Sequence, residues 1–318
     1  MGRSQRLEDR LAALADLRHD PTSPETLAAL RKALTSKVNH IVARAAEIAG
    51  DFRLGELEPD LVSAFDRFMV NATKTDPGCA AKASIVEALY KMEAYQPDVY
   101  LQGIGHVQPE PVYGGKEDTA AKLRGVSALG LVRIGFPGVM LLLAQLLADP
   151  ESDARIAAAR AIGYSGLSAG VPLLRYKVLI GDAHPQVLIE CFSALLQLEP
   201  EPSLSFIAGF LHRDGVDVAV QEAAAVALGE SHLVKAFPFL ETAWEDARDP
   251  ELRQTLLLAI ALLRHERALS FLLALLEKGG PSSERALAAL GMYREDERIW
   301  ERVEEILRKQ ECASSHLG

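Results

Sequence analysis

The chain has 318 residues, 49% of them apolar and only 6% aromatic, and a formal net charge of −10, so no nucleic-acid partner that depends on phosphate neutralisation is expected. The longest apolar runs, Val139 to Ala148 and Leu256 to Leu263, are about half a membrane span, so no membrane insertion is expected either. Cys79, Cys191 and Cys312 match no metal-ligand spacing and leave one unpaired whatever bridges form, and the N-terminus lacks the apolar core of a secretory signal, which together fit a cytoplasmic protein.

Leu7, Leu11, Leu14 and Leu17 make a narrow apolar stripe on a charged helix, as expected of an N-terminal cap over residues 1–20. Divergent repeats follow over 21–95, with helix pairs predicted at Pro24 to Leu34 with Val38 to Ala49, and at Pro59 to Val70 with Cys79 to Met92. Residues 96–117 read as a repeat with a long loop, because the stretch between Leu101 and Asp118 is too rich in Gly and Pro to be helical throughout. Long loops in compact folds are often functional, which makes His106, Tyr113 and the Gly114-Gly115 pair a candidate contact element.

Regular repeats occupy residues 118–295, with a period of about 33 residues. Each carries a short apolar signature: Ser127-Ala128-Leu129-Gly130, Arg160-Ala161-Ile162-Gly163, Ser193-Ala194-Leu195-Leu196, Val226-Ala227-Leu228-Gly229 and Ala288-Ala289-Leu290-Gly291. In the clearest copy Pro137 opens a first helix that Asp149-Pro150 ends, and a second helix runs from Ala154 to Ile162, with Gly163 as its stop. Pro172 and Pro238 open later first helices, where the missing N–H has no intrahelical partner to lose. Asp149, Asp182, Asp214 and Asp246 recur 33, 32 and 32 residues apart near the turn inside each repeat, placed to accept orphan N–H groups at helix starts. Ile299, Val303, Ile306 and Leu307 mark a C-terminal cap helix over 296–310. The expectation is a single all-α domain over 1–318, a right-handed α-solenoid of about eight helix pairs with terminal capping helices.

Paired amphipathic helices with an intra-repeat Asp and an Ala-Leu-Gly second helix resemble HEAT repeats, particularly the bacterial type named after the phycobilisome-lyase family. The resemblance implies that second helices line a concave side, and that relatives include scaffolds, adaptors, accessory subunits and a few enzymes. The basic residue that the family carries early in the second helix falls at Lys122 and Arg155 but gives way to Leu188 and Gln221. Deoxyhypusine hydroxylases, a HEAT-repeat enzyme family, bind iron through repeated His-Glu pairs, of which this chain has only His265-Glu266, so no metal or other cofactor is expected. Gly166-Leu167-Ser168-Ala169-Gly170 matches a nucleophile elbow in letters, but a helix precedes it where a strand is required.

Helical periodicity places Lys122, Arg155, Arg160, Ile189, Phe192, Gln221, Glu222 and Gln254 on the outward stripe of the second helices; at Ile189 and Phe192 the register is open by one residue, and burial between repeats is the alternative, since Phe and Ile are commonly interior. Together with Tyr113 and His106 they are the candidate protein-binding residues. Without a converging catalytic set, the expected function is a non-enzymatic scaffold or adaptor that holds a protein partner on its concave face. The alternative is an accessory subunit of a modifying enzyme, in the manner of the chromophore lyases.

Overall fold

A computed structural model describes residues 3–212 and 215–315, apart from the side chains of Arg3, Ser4, Arg6 and residues 311–315; Asp214 and the Cys312 side chain lie outside the described set. The fold is all-α and built of helix pairs, with one short hairpin of strands. It separates into two compact units, Met1–Ser165 and Gly166–Gly318.

In the first unit α1 (Arg3–Asp16) precedes the pair α2 (Pro24–Leu34) and α3 (Asn39–Asp51), then α4 (Glu58–Met69), the short α5 (Ala72–Thr75) and α6 (Ala80–Lys91). Next come α7 (Pro97–Ile104), the strands β1 (Pro109–Val112) and β2 (Gly115–Asp118), α8 (Ala121–Arg133), α9 (Val139–Leu146) and α10 (Ser152–Ser165). The second helices α3, α6, α8 and α10 pack side by side, and α2, α4, α7 and α9 cover them. Leu30, Ile41, Leu61, Phe65, Ile85, Leu89, Leu123 and Leu131 are sealed between these layers, and this burial is what holds each pair to the next.

The second unit repeats the plan with α11 (Val171–Ile180), α12 (Pro185–Leu198), α13 (Pro200–Leu211), α14 (Val218–Glu230), α15 (Phe237–Asp246) and α16 (Pro250–Leu262), followed by α17 (Glu266–Lys278) and α18 (Pro281–Leu290). Here α12, α14, α16 and α18 form the inner row, and α19 (Glu297–Ser315) caps the stack against α17. Pro172 and Pro238 sit in the first turns of α11 and α15 as expected.

Three local expectations are corrected. Gly130, Gly163 and Gly229 lie inside their helices and do not stop them, and only Gly291 follows directly on the end of its helix, α18; Gly130 and Gly229 instead make room for close neighbours. A Cβ at Gly130 would collide with the Tyr100 ring, and one at Gly229 with the Ala259 carbonyl oxygen. After Gly130, Gly163 and Gly229 the left-handed residue that marks the stop lies three to five positions further on, at Gly135, Gly166 and His232. Pro137 does not open a helix directly, since Gly138 turns at φ 79° before α9 begins at Val139. The capping role passes from the expected 33-residue series to Asp217 and Asp249 in the second unit, whose carboxylates accept from Ala219 N and from Glu251 and Leu252 N. Asp149 and Asp182 accept from Glu151 N and His184 N, each just ahead of α10 and α12, in the turns that lead into those helices.

Candidate functional site

The stretch expected to be a loop is an antiparallel hairpin in register Pro109↔Asp118, Glu110↔Glu117, Pro111↔Lys116, Val112↔Gly115. Its two-residue turn is Tyr113-Gly114, and Gly114 at φ 90° takes the position that a side chain disfavours. Neither edge invites another strand: prolines strip donors from β1, and Lys116 and Glu117 charge β2. Tyr113 stands fully exposed at the tip, with Val112 exposed beside it.

Strands this short are not stable alone. The hairpin is held at its base by a polar network on the first unit. The Glu110 carboxylate accepts from Gly78 N at 2.7 Å, from Gln108 Nε2 at 2.6 Å and from Thr119 Oγ1 at 2.9 Å. Gln108, itself buried, also donates through Nε2 to the Asp76 carbonyl at 2.8 Å. Asp118 accepts from Gln108 N and Ala120 N, and from Arg124 Nη1 at 2.7 Å.

Beneath the hairpin lies an ion pair with no solvent access, Lys82 Nζ to Asp76 Oδ2 at 2.9 Å. Asp76 also accepts from Asn39 Nδ2, Ala81 N and Lys82 N, so its two oxygens meet four donors. The same six-residue spacing recurs in Asp118 and Arg124, and again in Asp149 and Arg155. Arg124 bridges two rungs, reaching Asp149 Oδ1 at 2.8 Å as well as Asp118. Arg155 donates to the carbonyls of Asp149 and Pro150. The ladder's basic residue in α8 is therefore Arg124 and not Lys122, which is exposed and pairs with Glu87 at 2.9 Å. In the second unit the ladder lapses. Leu188 is buried, Asp182 pairs with Lys177, and Gln221 donates to the Leu211 carbonyl; Arg253 restores the pattern by donating to Trp244 and Ala247 carbonyls.

The other predicted residues scatter. His106 is half-buried, with Nε2 3.1 Å from Gln108 Oε1, and burial lowers its pKa. Phe192 is sealed inside the second unit, edge-on to Phe210 at 5.4 Å, and Arg155 is buried as well. Neither presents a surface: Arg155 is corrected from the outward stripe, and at Phe192 the structure takes the burial that its open register also allowed. Second helices are covered on three sides, so only a narrow strip remains, and in α12 it runs through Gln186, Ile189, Glu190, Ser193 and Gln197, one position off Phe192. Arg160 is exposed, while Ile189, Gln221, Glu222 and Gln254 are half-buried, and Glu222 accepts from Thr255 Oγ1. The residues that sequence reasoning missed are Asp76, Lys82, Glu110 and Arg124, and the six-residue acid-to-base spacing was the available signal.

Cys79 and Cys191 are buried free thiols, each pushed by burial up to about 12, which leaves them unreactive near neutrality. His265 caps α17, its Nδ1 accepting from Ala268 N. Among the described residues no group of three or more His, Cys, Asp and Glu is placed to hold a metal, and no helix is long and apolar enough to cross a membrane.

The anchor carries a pH dependence. Burial alone would raise Glu110, but the hydrogen bonds from Gln108, Gly78 and Thr119 outweigh it and hold the carboxyl below its ordinary value; Asp118 is held low in the same way by Gln108 N, Ala120 N and Arg124. A depressed carboxylate stabilises the folded arrangement above its unfolded value and loses that contribution as pH falls through the lower folded one. The hairpin should therefore stay docked at pH 5 and release only below about pH 4. Following the Gly78 and Ala120 amide resonances through an acid titration checks this; midpoints at or above about 4.3 would contradict it.

Comparison with known proteins adds the following. Residues 211–292 match the family model for HEAT repeats. No curated protein matches the chain. Among solved structures, human deoxyhypusine hydroxylase in complex with glycerol is 18% identical, with 82% of this chain and 91% of that one covered and a TM-score of 0.32. The complex of CpcE and CpcF of phycocyanin lyase from Nostoc sp. PCC7120 is 15% identical, with 83% and 93% covered and a TM-score of 0.43. At such identities the likeness concerns the fold alone. The expectation of a non-enzymatic chain is corrected: a hydroxylase and lyase subunits stand among the structures it is similar to.

Proposed function

We propose that this HEAT-repeat chain is an accessory subunit of a modifying enzyme, working in the cytoplasm and gripping a partner protein through the hairpin of its first unit. The observation that carries the reading is Tyr113, a fully exposed aromatic on a hairpin whose base is fixed by the Glu110, Asp118 and Asp76 network. A protruding aromatic on a preorganised support loses little entropy on binding and has the composition of an interface hot spot. Within the first unit Lys122 and Arg160 are exposed positions on second helices that could add polar contacts to the same partner; Ile189, Gln221, Glu222 and Gln254 are half-buried positions on the second helices of the second unit, considered by itself.

The test is isolation of the tagged full chain from its own cells, followed by native mass measurement and affinity titration against the recovered partner. Tyr113→Ala should weaken that complex about thirtyfold, the effect of losing a hot spot of ~2 kcal/mol, while leaving the melting curve in place. A complex that forms equally well with Tyr113→Ala removes the hairpin from the reading. A chain that remains alone under all growth conditions removes the accessory role altogether.

A further inference from the structure

On the edge of the first unit where the second helices end, Tyr90 of α6, Arg133 of α8 and Tyr164 of α10 converge. The Arg133 guanidinium lies over the Tyr90 ring at 3.8 Å and is pinned there by Nη1 donating to the Tyr90 carbonyl at 2.7 Å. Nη2 donates to the Tyr90 hydroxyl at 2.9 Å and to the Tyr164 hydroxyl at 3.4 Å. The cation is held by one tyrosine and aimed at the other, which is half exposed. We propose that Tyr164 is an activated nucleophile, a phenol poised to take an acyl group from an activated acyl donor.

Two features support this beyond the geometry. The hydrogen bond from Arg133 and its charge lower the Tyr164 pKa, whereas burial raises that of Tyr90, so the two phenols are driven apart and the accessible one ionises first. Glu93 opposes the shift from a distance but is itself 3.7 Å from Arg53. In the reaction the Tyr164 oxygen bonds to the acyl carbon, the bond from that carbon to the leaving group breaks, and the phenol's proton departs with the leaving group. This inference does not depend on the hairpin.

The probe is N-acetylimidazole in limiting amount on the full chain, with acetyl-tyrosine mapped by peptide mass and verified by hydroxylamine reversal. The seven tyrosines supply an internal control. Exposure alone ranks Tyr113 (108%), Tyr95 (70%) and Tyr176 (65%) ahead of Tyr164 (50%). Activation reverses that order: Tyr164 should react first and severalfold faster than Tyr95 or Tyr176, because the Arg133 guanidinium favours its ionised form. Arg133→Gln should erase the lead while the Tyr95 and Tyr176 rates stay put. Independently of that variant's folding, the earliest tyrosinate absorbance in an alkaline titration of the native chain should vanish in Tyr164→Phe. Rates that follow exposure, an unaltered lead in a folded Arg133→Gln, or an early tyrosinate that persists in Tyr164→Phe would each overturn the proposal.

Discussion

Replacing Lys82 with methionine will destabilise the first unit by about 3–5 kcal/mol, the cost of leaving a buried carboxylate without its counter-charge. Both members of the Asp76–Lys82 pair are inaccessible to solvent, so water cannot stand in for the missing ammonium. Asn39 Nδ2 and the N–H groups of Ala81 and Lys82 still reach Asp76 and keep part of the stabilisation. They supply dipoles, which do not neutralise a charge. The double variant Asp76→Asn with Lys82→Met removes both charges and should lose less than the sum of the single variants, because a buried pair pays heavily for desolvation. Denaturant melts of the three variants decide it; a Lys82→Met loss below about 1 kcal/mol would show that the pair contributes little.

Phe192→Ala will lower stability by about 3–5 kcal/mol, the loss for emptying a sealed aromatic site. The ring has no exposed surface and meets Phe210 edge-on, and Phe210 in turn meets Phe206 at 5.3 Å under the Arg175 guanidinium. Removing the first ring therefore unsupports a chain of three, and α13 cannot close on α12 without shifting Ser203, whose hydroxyl is tied to the Leu195 carbonyl. Tyr113→Ala serves as the control, since an exposed tip residue should stay within about 0.5 kcal/mol of the parent. Equal melting temperatures for Phe192→Ala and the control would place Phe192 at a surface and refute the packing described for the second unit.

The helices were legible because their apolar residues recur with the helical period and their starts are signed by Pro24, Pro172 and Pro238. The hairpin was not. Pro-Glu-Pro-Val has neither β-branched alternation nor an Asn-Gly turn, and it is a strand only because Gly78, Asp76 and Arg124, distant in sequence, accept or donate at its base. The hairpin also displaces the repeat spacing, so a series counted back from Asp149 in steps of 33 misses Asp118 and Asp76. On the second helices periodicity leaves Phe192 open by a single residue, because an outward strip flanked on three sides is narrower than the half-helix that periodicity assigns. Tyr164 and Arg133 lie in different repeats, and nothing along the chain announces that one points at the other.

The separation between the hairpin's foundation and its summit has an evolutionary consequence. Residues that fasten it, Gln108, Glu110, Asp118 and Arg124, are committed to one another, whereas Val112 and Tyr113 touch mainly water. A change of codon at the summit can thus alter whom the molecule recognises without endangering its architecture. Because proline and charge forbid strand addition along the flanks, such drift proceeds through side-chain identity, and lineages sharing this foundation should differ first at the summit.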